Sequence, residues 1–159
     1  MRKVYLLVFL LTVCLVSIGV AADKSTGGHT YKAKLSGSDV VPPVKTGASG
    51  EATFNKGKGA NEMTYKLHVK DLENATSAHI HEGKKGRNGP PVVSLFNGPR
   101  KETKFSGMLA EGTITAKDLS GSLKGKTIKD LIDMIEAGNA YVNVHTDKYP
   151  DGELRGQIK

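Results

Sequence analysis

The chain carries one cysteine and no tryptophan among its 159 residues. A lone thiol, Cys14, closes no intramolecular disulfide, so a disulfide-stapled mini-scaffold is excluded and the fold must rest on its core. Aromatic residues are sparse, at 6% of the chain, and none sits in a base-stacking motif. Basic residues outnumber acidic ones, giving a formal charge of +7. They are dispersed, with only small clusters at Lys84-Lys85-Arg87 and Arg100-Lys101, and this excludes a nucleic-acid-binding stripe in favour of solubility and weak attraction to anionic surfaces. No glycine-rich phosphate loop opens a helix, and no Ser/His/Asp or Cys/His set stands out, so nucleotide-dependent and hydrolase classes have no support. Asp147, Asp151 and Glu153 lack EF-hand spacing, and turn chemistry already accounts for Asp151-Gly152.

One long apolar run is present, at the start. Met1-Arg2-Lys3 is positive, Val4 to Val20 is uncharged, and Gly19-Val20-Ala21-Ala22 supplies small residues for cleavage. The pattern predicts a secretory signal over residues 1–22. The run is shorter than the roughly 20 residues that span a bilayer, so no stable membrane span is expected once the signal is cut. Residues 23–28 read as a flexible polar segment, and residues 29–159 as one domain, secreted or periplasmic. Asn74-Ala75-Thr76 matches the acceptor pattern for N-glycosylation.

Glycine is abundant, with 19 in the chain, well above the usual ~7%. It punctuates short segments of alternating polarity, a pattern that predicts an all-β domain. Tyr31, Ala33 and Leu35 alternate with Lys32 and Lys34. Met63, Tyr65, Leu67 and Val69 alternate with Thr64, Lys66, His68 and Lys70. Further strands are expected at 51–55, 75–81, 92–96, 104–109 and 111–115, then at 140–146 and 153–158. The last two are joined through Pro150-Asp151-Gly152, a turn sequence that predicts an antiparallel hairpin. Ile128, Leu131, Ile132 and Ile135 recur instead at helical spacing, with Thr127 and Asp130 as a capping box and Gly138 as the stop. The expected architecture is an antiparallel β-sandwich, Greek-key-like, with one short helical crossover.

The chemistry concentrates in Ser77-Ala78-His79-Ile80-His81-Glu82-Gly83. On a strand, residues two apart share a face, so both imidazoles project together while Ile80 enters the core. Tyr141-Val142-Asn143-Val144-His145 puts His145 on the face opposite Val142 and Val144. If the two strands are neighbours, three neutral nitrogens converge, a competent set for copper or zinc with one position left open. Glu82 is placed to orient a ligand or to pair with Arg155. His29 and His68 read as surface residues. The Gly-, Pro- and Lys-rich loop from Lys84 to Pro91 is the kind of surface where binding residues collect.

Ala78 to Gly83, then Gly86, Asn88-Gly89-Pro90 and Val92-Val93, and later Gly138 to Thr146 with Pro150-Asp151-Gly152-Glu153-Leu154-Arg155-Gly156-Gln157, together resemble the CHRD (chordin-type) domain. The resemblance spans residues 29–159 and implies an extracellular β domain. A looser likeness is to copper/zinc superoxide dismutase, whose sandwich supplies a His-x-His pair and a late copper-binding histidine. Carried over, His79 and His81 match the pair, His145 the late ligand and Arg155 the anion-attracting arginine. No histidine lies between Glu82 and Val144, so the bridging and zinc-binding ligands are missing, as is the disulfide. The resulting expectation is an exported protein that binds one copper or zinc ion through His79, His81 and His145, with Glu82, Asn143 and Arg155 in support. Two rivals stand beside it: an adhesion module for extracellular protein or polysaccharide, and a mononuclear copper enzyme of dismutase type, the catalytic reading being the weaker.

Overall fold

The computed structural model describes residues 28–57 and 61–159. The expected signal (1–22) and nearly all of the 23–28 segment lie outside the described residues. Eight strands follow in order: β1 (Thr30–Ser36), β2 (Ser49–Lys56), β3 (Glu62–Leu72), β4 (Ala75–Glu82), β5 (Pro91–Phe96), β6 (Phe105–Thr115), β7 (Ala140–Thr146) and β8 (Leu154–Gln157). One helix, α1 (Ile128–Glu136), connects β6 to β7. All strand pairs are antiparallel.

Alternation dictates the pleat. Tyr31, Ala33 and Leu35 are buried while Lys32 and Lys34 face out, and Met63, Leu67 and Val69 are buried on β3. The expected strands at 104–109 and 111–115 are a single strand, β6, which follows β3 along its length with a register shift opposite Leu67 and His68.

The strands form one sheet in the order β5-β4-β7-β8-β1-β2-β3-β6. The all-β antiparallel class with a single helical crossover therefore holds, and the layers of the sandwich belong to one continuous, nearly closed sheet. Tyr65 on β3 donates from its hydroxyl to the Leu95 carbonyl on β5, 2.7 Å away, tying the far sides of the sheet together. Phe54, Met63, Leu67, Leu72, Ile80 and Leu154 fill the interior, each contributing about 1.5–3 kcal/mol on burial.

Helix α1 buries Ile128, Leu131, Ile132 and Ile135. Thr127 N donates to Asp130 Oδ2 at 2.8 Å, and Thr127 Oγ1 accepts from Asp130 N, so the capping box closes as expected. Gly138, at φ +69°, supplies the left-handed residue that ends the helix. Its N–H donates to Ile135 O, and Asn139 N donates to Met134 O, the paired bonds of a Schellman stop. Strand β7 starts two residues later, so the helix end sets the entry of the strand that carries His145.

Candidate metal centre

Ile80 on β4 is fully buried in the core, and the pleat therefore turns His79 and His81 to the outer face. The ladder between β4 and β7 sets Ser77 opposite His145, His79 opposite Asn143 and His81 opposite Tyr141. Beyond β7, Asn143 pairs with Arg155 and Tyr141 with Gln157 on β8. One outer patch thus carries the row His79–Asn143–Arg155, the row His81–Tyr141–Gln157 and, next to them, His145.

The three imidazoles meet. Ring centroids lie 5.7 Å apart for His79 and His81, 5.3 Å for His79 and His145, and 5.9 Å for His81 and His145. One nitrogen from each ring comes within 4.8 Å of the others. A metal at about 2.0–2.1 Å from each nitrogen would draw these atoms closer by small side-chain rotations.

Two loops fix the rings. His81 Nδ1 is 2.8 Å from the Gly89 carbonyl, and His145 Nδ1 is 2.8 Å from the Pro150 carbonyl. A carbonyl only accepts, so in each neutral ring Nδ1 carries the proton and Nε2 keeps its lone pair. His81 Nε2 is buried and has no hydrogen-bond partner, and the same is true of His79 Nδ1. Orphaned buried ring nitrogens of this kind are costly unless something occupies them. Carbonyl-anchored imidazoles with a free second nitrogen are the usual support for a metal ligand.

Burial, then the neighbouring His145 and His81, lowers the His79 pKa from 6.5 to about 4. Burial also lowers that of His81, opposed in part by the Gly89 hydrogen bond. Both rings are consequently neutral at physiological pH, the form a metal requires. No carboxylate belongs to the cluster, and a set of imidazoles suits copper or zinc better than calcium or magnesium.

The flanking residues show what sequence reasoning saw and missed. Asn143 is on the site face as expected, with its Nδ2 donating to the Asp151 carbonyl at 3.0 Å and lying 3.5 Å from His145 Nε2. Arg155 is also on this face but is covered, only 2% exposed. Its guanidinium donates to Asn88 Oδ1 (2.7 Å), Lys84 O (3.2 Å) and Arg87 O (2.7 Å). The expected pairing of Glu82 with Arg155 does not occur. The Glu82 carboxylate accepts instead from Ser122 Oγ, because the strand pleat turns it away from the face that holds Arg155. Tyr141 was not given a role by its sequence. It stacks on His81 at 5.1 Å and 18°, carries the Arg155 guanidinium 3.6 Å above its ring, and receives the Gly89 N–H on its hydroxyl. Only the alternation that aligned Tyr141 with His145 could have signalled this. The expected binding loop 84–91 turns its carbonyls inward, onto Arg155 and His81.

These features define an antiparallel β domain with a histidine cluster on its outer face, and comparison with known proteins gives it a family. The CHRD domain family matches residues 31–158, and the chain belongs to that family. It is 30% identical over 132 residues to chordin from Xenopus laevis and 34% identical over 128 residues to chordin from Danio rerio. Each alignment covers 78% of this chain and 12% of the relative, so the chain spans about an eighth of their length. No solved structure matches it.

Proposed function

We propose that this CHRD-domain protein is exported and holds one copper or zinc ion through His79, His81 and His145, for storage, delivery or sensing of the metal. One observation carries the reading: three imidazoles meet, two of them anchored at Nδ1 by loop carbonyls, with buried ring nitrogens of His79 and His81 facing no partner. The signal-like start of the sequence and the kinship with chordin support an extracellular destination. Binding ranks above turnover because the arginine that a dismutase would aim at its anion is here fully covered and bonded to loop atoms.

Calorimetric titration of the mature protein with Cu²⁺ and Zn²⁺ tests this. One ion per chain is expected for the parent, and His79→Ala and His145→Ala should each weaken binding by about 100-fold, equivalent to roughly 2.7 kcal/mol. Parent-like affinity in both variants would remove the shared site. A dismutase role would show instead as superoxide consumption by copper-loaded protein freed of excess copper.

A further inference from the structure

A second feature of the outer face lies on the other side of the 83–90 loop. Lys32 and Lys34 project from β1, two residues apart and about 7 Å along the strand. With Lys85 from the loop and Lys159 beside β1, they border a groove of about 360 Å³. Arg155 lies at its floor, held by carbonyls and an amide and forming no salt bridge with any carboxylate among the described residues. Asp39 is the one acidic residue of the lining; it accepts from Ser36 Oγ at 2.9 Å and lies 3.9 Å from Lys85 Nζ, a lysine side chain 78% exposed. Four lysines thus face one carboxylate, around a concavity that concentrates their field, while the covered Arg155 adds its charge from beneath.

We infer that this groove binds an acidic polysaccharide, a hydroxyl-rich chain carrying carboxylate or sulfate groups. Its lining contains no aromatic or aliphatic residue, so it offers no wedge for a bilayer, and its apolar surface comes from the methylene stems of side chains that end in charge, suited to the C–H faces of sugar rings. Strands β1 and β8 both lie inside the sheet, which leaves no free edge to which a peptide could add as a strand. What the groove presents is spaced point charges among polar groups. The groove adjoins the histidine cluster, with Arg155 and Gln157 beneath both, but its four lysines lie outside the cluster, and the loop between them gives Gly89 O to His81 and Lys85 to the groove.

The test uses the mature protein in EDTA, so that its outcome is separable from metal binding. Affinity is measured for polygalacturonate, dextran sulfate and neutral dextran. The parent should bind both charged polymers and not the neutral one, with affinity falling steeply as salt is raised from about 0.05 to 0.5 M. The variant Lys32→Gln/Lys34→Gln/Lys85→Gln, altered only at exposed positions, should lose about tenfold or more in affinity. A control with the same charge loss at exposed sites elsewhere, Lys117→Gln/Lys124→Gln/Lys126→Gln, should stay within about twofold of the parent. Equal losses in the two variants, or no loss in the groove variant, would overturn the assignment. So would tighter binding to poly-glutamate or to anionic phospholipid vesicles than to either polysaccharide.

Discussion

At the scale of single residues, the outer face concentrates groups whose protonation is decided by burial. His79 is the clearest case, with its pKa pushed from 6.5 down to about 4 by desolvation and by two neighbouring imidazoles. Between those values the unfolded chain binds a proton that the native state refuses. The metal-free protein should therefore lose stability as pH falls from about 6.5 towards 4 and level off below, the sign that linkage requires when the unfolded state holds more protons. Denaturant melts across this range check it, and His79→Gln, which cannot titrate, should give a flatter profile; identical profiles would place the acid sensitivity elsewhere. Arg155 makes the complementary case. It is always charged, buried, and stacked on Tyr141, and its three hydrogen bonds pin the loop that presents Gly89 to His81. Arg155→Met keeps the bulk but strands those acceptors. A loss of about 1–3 kcal/mol in urea unfolding is expected, together with faster amide exchange across residues 84–89. Unchanged exchange would mean that the loop holds its place without the arginine.

At the scale of elements, the turn between β7 and β8 positions the site through one glycine. Gly152 sits at φ +128°, and a Cβ there would run into the Asn143 amide. Gly152→Ala is consequently expected to push Asn143 out of place, costing about 1–3 kcal/mol of stability and weakening metal binding. Thr127→Ala, far from the site, should cost about 1 kcal/mol through the lost helix cap and leave metal affinity alone. Titration of the two variants side by side separates damage to the site from damage to the fold. The same elements show what could be read in the sequence. Period-2 alternation marks β1 and β3, and the spacing of Ile128, Leu131, Ile132 and Ile135 marks α1, because each pattern reflects burial of one face; β7 is buried on both, and its alternation of valines with Tyr141, Asn143 and His145 separates core from site. The placement of His79 and His81 on one face followed from the same rule. Strand β6 was divided in two because Ala110 to Gly112 offers no large apolar residue, whereas the ladder to β3 carries the backbone straight through. The anchoring carbonyls of Gly89 and Pro150 could not be foreseen, since a backbone acceptor leaves no trace in residue type. The parting of Glu82 from Arg155, by contrast, follows from the pleat, because Glu82 shares the side of Ile80 and not that of His79 and His81.

At the scale of the whole molecule, the histidines join segments distant in sequence but adjacent in the sheet. Strands β4 and β7 are neighbours near one end of the strand order, and the rings of His81 and His145 are each also held by a separate loop. An ion bound there would tie together two strands and two loops of the native sheet, and the unfolded chain holds no such arrangement. The binding of such an ion would therefore add to the folding free energy. At a free concentration 100 times its dissociation constant, the ion should stabilise the protein by about 2.7 kcal/mol, a rise of about 10 °C in Tm for a domain of this size. Thermal melts with Zn²⁺ should show that rise, and Mg²⁺, which prefers oxygen ligands in octahedral geometry, should leave Tm unchanged. His145→Ala, binding about 100-fold more weakly, should cut the zinc effect to about 0.4 kcal/mol while retaining the β-sheet circular dichroism of the parent, because the His145 side chain lies on the outer face and the core residues Val142 and Val144 are untouched. An equal zinc shift in His145→Ala would show that the ion acts somewhere other than between β4 and β7, and the three-histidine assignment would fall with it.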